Sequence, residues 1–444
     1  MDKRLAVTLS PAAAAAEREP DWSARITSPY LIGVYLAVNA IPDAYLFLDG
    51  PPCFPLKSPS IQGNHDWRSE LDNVSGHNKC VTTKLHPSTV VFNREQLFLD
   101  VLAELARYEG AGGVFLSARP MAAITSVDYG RVNDKARRHT DKYLMIIPPK
   151  SLSNNWLGGY EECQLAVAKA VDLTGARPQP GKVAIVGYLW DRGEGDHVGN
   201  VRELGHLLAG LDLDLEVVWF SGKSFAELAA VRDVSGIISL PYGRKAAEVL
   251  GQRLSVPVVE TLLPFGFGST EMFLRDVART FGKEDRVDAL LDAELRQYVP
   301  ALEWVIPFVL QNTRTGFIGD PHHLVGVADI LEMVGARLAF AGLASDKRHT
   351  EPQWYPPSVS EDLLVYEPTQ RFLVDFVTRE IRDSGLDLLI ANNPGVKLGN
   401  VPIVEFGYPS YYTHVCAPRP FLGFHGAAAF VERMANAIRY HQFF

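Results

Sequence analysis

Two cysteines stand where a turn can present them to a ligand. Cys53 closes "LDGPPC", in which an apolar run, Tyr45 to Leu48, stops at Asp49-Gly50-Pro51-Pro52; Cys80 closes "VSGHNKC", where Ser75-Gly76 breaks the chain just ahead of it. A thiol on a Gly/Pro turn can approach an inorganic cluster closely and leaves backbone N–H groups free to hydrogen-bond its sulfurs, the presentation that iron-sulfur centres use. Each thiol taken alone reads as a small buried hydrophobe. Taken together, on turns of one region, they also read as two ligands of one metal site. Cys163, in "GYEECQLAVAKAV", falls on a helical pattern and reads as structural, and Cys416 follows "YYTH" near the other end of the chain. Four cysteines in 444 residues are too few for a disulfide framework, and their positions match no zinc finger or ribbon. A reducing cytoplasm is the expected compartment.

Other chemistries fail on their own requirements. "DRGEGDHVGN" lies between a strand and a helix like a phosphate loop, but Asp196 and His197 stand where an anion needs bare backbone, and no Lys-Ser/Thr follows. There is no G-x-S-x-G elbow for a serine hydrolase and no H-E-x-x-H for a zinc hydrolase. His322 and His323, adjacent in "PHHL", point to different faces of a helix and are expected to cap or line its start. The net charge of -9, without a basic stripe, argues against nucleic acid as a partner. No apolar run approaches about 18 residues, so no membrane span is expected. The basic-apolar start is interrupted by Ser10-Pro11 and then by Glu17-Arg18-Glu19, which argues against a secretory signal.

The elements that must carry these residues are strands alternating with helices. In the first region, strands at 45–48 and 112–117 flank the amphipathic pattern "NREQLFLDVLAELARYE", whose Leu97, Val101, Leu102 and Leu105 predict one apolar face. Such a strand-helix-strand unit implies a parallel sheet. After the linker "LTGARPQPG" the alternation is regular: strands at 182–189, 215–220, 235–240 and 256–260 predict a doubly wound unit. Strands at 315–320, 337–342, 387–393 and 402–406, with a last helix over 426–440, predict a third. The expected organisation is α/β, with an N-terminal tail (1–24), a cluster-bearing α/β domain (25–175), a Rossmann-like domain (181–300) and a second Rossmann-like domain ending in a helix (301–444).

In this order the segments "SPYLIGVYLAVNAIPDAYLFLDGPPC", "GHNKC", "STVVFNREQLFLDVLAEL", "AIVGYLWDRGEGDHVGNVRELGHLLAGL", "GFIGDPHHLVGVADILEMVG" and "VEFGYPSYYTHVCAPRPFLGFHGAAAF" resemble nitrogenase component 1 subunits and their relatives. Those relatives are the dark-operative protochlorophyllide reductase and other nitrogenase-like reductases. The resemblance implies three Rossmann-like domains and an iron-sulfur cluster at a subunit interface, fed with electrons by a separate ATP-dependent iron protein. Cys53 and Cys80 match the first two cluster cysteines of the family. The third falls on "LSARP", where this chain has Arg119.

Two thiolates per chain imply a 4Fe-4S cluster shared between two component 1-like subunits, as a homo- or heterodimer or within a tetramer. The family's cofactor cysteine would fall near "ISLPYG", which has none, so no molybdenum-iron cofactor is expected. His414 roughly matches the family's carboxy-terminal histidine. It is a candidate proton donor because its reference pKa lies near neutrality. Tyr411, Tyr412 and Cys416 are candidates for the substrate cavity, with packing between domains the alternative for the two tyrosines. The expected function is a reductase subunit of unknown substrate, with ATP acting only on the iron protein. A non-catalytic scaffold or maturation subunit is the alternative, and a glycosyltransferase-like enzyme, in which the thiols have no role, is the reading from fold alone.

Overall fold

The structure, a computed structural model, describes residues 21–72, 78–92, 94–123, 125 and 127–443. Most of the predicted tail and the Ser75-Gly76 turn lie outside these residues. Three sheets form, and each named strand pair in them is parallel. The first has the order β2-β1-β3-β4, from β1 (Ala44–Asp49), β2 (Cys80–Thr82), β3 (Gly113–Ala118) and β4 (Tyr143–Ile146). The second has the order β6-β5-β7-β8, from β5 (Gln179–Val186), β6 (Asp214–Val218), β7 (Val234–Ser239) and β8 (Val258–Glu260). The third has the order β11-β10-β9-β12-β13, from β9 (Arg314–Gly319), β10 (Arg337–Leu343), β11 (Leu364–Tyr366), β12 (Leu388–Ala391) and β13 (Ile403–Glu405). In each sheet the strand order reverses beside the first strand. The crevice outside the carboxyl ends of the two strands at that reversal is where open α/β sheets bind ligands.

The helix Tyr30–Asn39, not anticipated from periodicity, is apolar on all sides because it is enclosed on all sides. It crosses the helix Trp156–Ala170 at two glycines: a Cβ on Gly33 would stand 1.8 Å from the Trp156 carbonyl oxygen, and one on Gly159 would stand 2.0 Å from that of Tyr30. One continuous apolar core runs through all three sheets, from Leu46 through Val186 to Ile390.

Two elements differ from expectation. The helix Glu95–Arg107 turns Phe98 and Leu102 inward, so its apolar face is rotated by about one residue and Leu97 is exposed. Phe98 wins that place because it packs on Phe47 of β1 and Tyr129, and its guanidinium neighbour Arg94 lies over its ring. The helix after β5 begins at Gly195, inside the segment expected to be loop, so that Asp196 and His197 occupy its first turn and are buried. They are tolerated there because each has an ionic partner nearby, described below.

Candidate functional site

Asp49, the last residue of β1, is fully buried and binds three donors. Its carboxylate pairs with the Arg94 guanidinium and accepts from the Thr83 and Tyr129 hydroxyls, each at 2.7 Å. The chain then turns at Gly50. A Cβ at Gly50 would stand 2.6 Å from Cδ of Arg119, so the aliphatic stem of Arg119 lies directly over this turn. Arg119 itself follows β3, and its N–H donates to the Asp49 carbonyl at 2.8 Å. Both segments therefore lie at the strand-order reversal of the first sheet.

Cys53 follows the Pro51-Pro52 pair, is half-buried, and precedes the short helical turn Phe54–Leu56. Phe54 fixes that turn by packing edge-on against Tyr35, with ring centroids 5.1 Å apart. Cys80 is the first residue of β2, level with Leu46, and is 8% exposed. It thus sits on a strand; the turn ahead of it lies in the residues not described. Tyr35 lies among these groups. Burial pushes its phenol well above the usual value, with Cys80 and Cys53 adding and Arg119 opposing, and its hydroxyl accepts from Nη2 of Arg119 at 3.1 Å. Burial likewise pushes the Cys80 thiol up to about 12, opposed by Arg119 and reinforced by Asp72. Cys80 is therefore a protonated thiol at neutral pH.

Phe54, next to Cys53, and Nη2 of Arg119 both meet Tyr35, while Cys80 begins the strand beside β1. Among the described residues no three His, Cys, Asp or Glu side chains come together to hold a metal ion. Two thiols are half of the four-thiolate shell that a 4Fe-4S centre takes. The fit to such a centre is therefore partial within one chain, and the half-buried position of Cys53 leaves its sulfur within reach of a second chain. The turn after Cys53 exposes Leu56 (80%), and the segment after β2 exposes Val91 (81%) and Phe92 (64%). Cys163 is fully buried in its helix, with its thiol pushed well above the usual value by burial.

A second polar centre lies where the three sheets meet, and sequence reasoning missed it. Asp191, after β5, is an ion-pair partner of His197 (2.5 Å) and of His65 (3.5 Å), which belongs to the loop after Cys53. Burial works to raise the Asp191 carboxyl, but the charges and hydrogen bonds of His197 and His65 hold it well below the ordinary range. His197 also contacts the Tyr188 hydroxyl at 2.7 Å, and Asn200 donates to that hydroxyl at 2.9 Å. Nδ1 of His65 accepts the Ser410 N–H at 2.9 Å, bringing in the third unit. Glu194 repeats the pattern: it accepts from the N–H groups of Trp67 (3.1 Å) and Val415 (3.0 Å) and pairs with His414 Nδ1 (2.8 Å). The remaining charges of the loop, Arg192 and Asp196, pair with one another. The signal available in the sequence was the density of charge in "DRGEGDHVGN" at a strand end.

His414 is thus held by Glu194 and stacked on the Trp67 indole at 3.6 Å, with planes 17° apart. Tyr411 is half-buried, Tyr412 is 86% exposed and Cys416 is exposed. Their loop is anchored by Glu405, which accepts the N–H groups of Tyr411 and Tyr412 at 2.8 and 2.9 Å. Two cavities are described, and none of these four residues lines either. One, of about 380 Å³, is lined by residues that include Asn154, Tyr242, Arg244, His322, Arg348 and Glu351. His322 and His323 both sit in the first turn of the helix Pro321–Met333, capped by Asp320, as expected from "PHHL". Burial lowers both imidazoles, His323 to about 4.

Comparison with known proteins agrees with this architecture. A solved nitrogenase Cp1 chain, at pH 6.5, superposes with a TM-score of 0.79 at 16% identity, covering 96% of this chain and 94% of that one; at that identity the likeness speaks for the fold. The nitrogenase iron-iron protein beta chain of Rhodobacter capsulatus is 26% identical over 269 residues, covering 54% of this chain and 57% of that protein. The nitrogenase vanadium-iron protein beta chain of Trichormus variabilis is 21% identical over 267 residues, with the same coverage of 54% and 57%. The match spans about half the length of these curated relatives. The model of one family, nitrogenase component 1 type oxidoreductase, matches residues 29–439, almost the whole described chain, and the protein belongs to that family.

Proposed function

We propose that this chain is the iron-sulfur subunit of a nitrogenase-like reductase, in which Cys53 and Cys80 hold one half of a 4Fe-4S cluster shared with a second component 1-like subunit. The observation that carries this reading is that the turn bearing Cys53 and the strand that begins at Cys80 both flank β1, with Phe54 of that turn packed on Tyr35 and Leu56 exposed where a second subunit would cover it. When bound, the cluster would supply one-electron transfer from an ATP-dependent iron protein to a small-molecule substrate. Cys80 would give up its proton on ligation, and the buried Tyr35 and Phe54 would keep water from that side of the site. Glu194 would orient His414 through Nδ1 and leave Nε2 to carry a proton, with Tyr411, Tyr412 and Cys416 on the same loop.

The alternative reading is a non-catalytic scaffold or maturation subunit that would hold a cluster without turnover. Turnover with a reduced iron protein and ATP separates the two readings. The cluster itself is tested by anaerobic reconstitution with iron and sulfide. Cys53→Ala and Cys80→Ala should each abolish the visible absorbance and Cys163→Ala should retain it; an unchanged spectrum in either of the first pair refutes the assignment.

A further inference from the structure

Arg119 differs from Arg94, the other arginine at the end of β1, which is paired with Asp49. Among the described residues Arg119 has no carboxylate within ion-pair distance; its Nη2 donates to the Tyr35 hydroxyl at 3.1 Å, and its Nε is buried without any acceptor. The one acid next to its backbone, Asp49, is already satisfied by Arg94, Thr83 and Tyr129. Its backbone N–H is bonded to the Asp49 carbonyl and its stem lies on Gly50. A guanidinium keeps its charge in any protein environment, and a half-buried cation without a counter-ion is costly unless an anion joins it. Its stem lies on Gly50, three residues before Cys53, and its Nη2 reaches Tyr35, on which Phe54, the residue after Cys53, is packed.

We propose that Arg119 is the counter-cation of the anionic thiolate cluster held by Cys53 and Cys80, and that its charge raises the cluster's reduction potential. The inference rests on the cluster reading given above. An oxidised 4Fe-4S centre with four thiolates carries two negative charges, so two copies of Arg119, one from each member of a pair of such chains, would neutralise it. A fixed positive charge favours the reduced, more negative state and raises the potential; net charge and hydrogen bonding at the sulfurs are the levers by which proteins tune such centres. The side chain would bind no iron. Its role is positional and electrostatic.

The test uses the full chain, reconstituted anaerobically with ferrous iron and sulfide. Iron and sulfide are counted, and the cluster is then titrated potentiometrically with its reduced-state EPR signal as the readout. Arg119→Gln should bind as much iron and sulfide as the parent protein with a midpoint shifted to more negative potential, and Arg119→Lys should restore most of the shift. Full iron content with an unchanged midpoint in Arg119→Gln overturns the proposal while leaving the cluster reading intact. Should Arg119→Gln bind no iron, Arg119→Lys decides: recovery of iron and of a near-parental midpoint supports a role for charge, and failure to recover either in a folded protein overturns it. A parent protein that takes up no iron overturns both.

Discussion

Asp320 offers a sharp test of how the third unit balances its buried charge. It caps the helix Pro321–Met333 through a 2.6 Å hydrogen bond from the His322 N–H, while its other oxygen is buried without a partner; the Tyr242 hydroxyl lies beside it but outside good hydrogen-bond geometry. Burial pushes its carboxyl up to about 7; the N–H groups of His322 and His323 and the Tyr242 phenol work against this, and the Asp191 charge adds to it. A carboxyl raised in the folded state contributes stability that is fully present below its unfolded value and is lost as pH rises through the folded one.

Asp320→Asn keeps the cap, since Asn serves that position as well as Asp, and removes the ionisable proton. Measured against an unfolded value near 3.8, the variant should gain about 2 kcal/mol near pH 5 and about 4 kcal/mol near pH 8. For a chain of this length each kcal/mol is worth about 1 °C, so the advantage in thermal midpoint should widen from about 2 to about 4 °C between those conditions. Differential scanning calorimetry of both proteins across that range is the assay. A difference independent of pH, or one that shrinks as pH rises, refutes the reasoning.

Three other outcomes follow from the packing and the charges. Gly159→Ala should destabilise the protein by about 3 kcal/mol or more, because the new methyl meets the Tyr30 carbonyl at a rigid helix crossing; urea unfolding of Gly159→Ala beside the control Gly205→Ala, whose new methyl meets no atom within 4 Å, checks it. Glu194→Gln should cost about 2–3 kcal/mol, since an amide cannot accept from both the His414 side and the Val415 N–H without turning a donor on one of them; loss of the near-ultraviolet signal of the Trp67–His414 stack should accompany it, and an unchanged denaturation midpoint counts against it. In metal-free protein near pH 8, iodoacetamide should label the exposed Cys416 well before Cys80, whose thiol is buried and pushed up to about 12; mass spectrometry showing equal rates would contradict the description of the site.

The sequence made the alternation of strands and helices legible because both periods are local properties. It carried no comparable signal for Tyr30–Asn39, where burial on every side erases periodicity, or for β2 and β4, which are only three and four residues long. Cys53 and Cys80 drew attention through the turns that precede them in the sequence, and Arg119 as a departure from the resemblance. That Arg119 lacks a carboxylate depends on Asp49 being committed to Arg94, a pairing of residues 45 positions apart that no local pattern displays. The Asp191 and Glu194 centres were hidden for the same reason: each joins residues from three sheets, and one of their charges, on His197, lay in a segment read as loop.

The bond between His65 and Ser410 joins residues 345 positions apart. At about 5–20 residues per second, the ribosome delivers Ser410 on the order of tens of seconds after His65. Throughout that interval the loop carrying Cys53 has emerged while its clasp has not yet been made. Closure of that loop onto the third unit therefore waits until residue 410 has been synthesised.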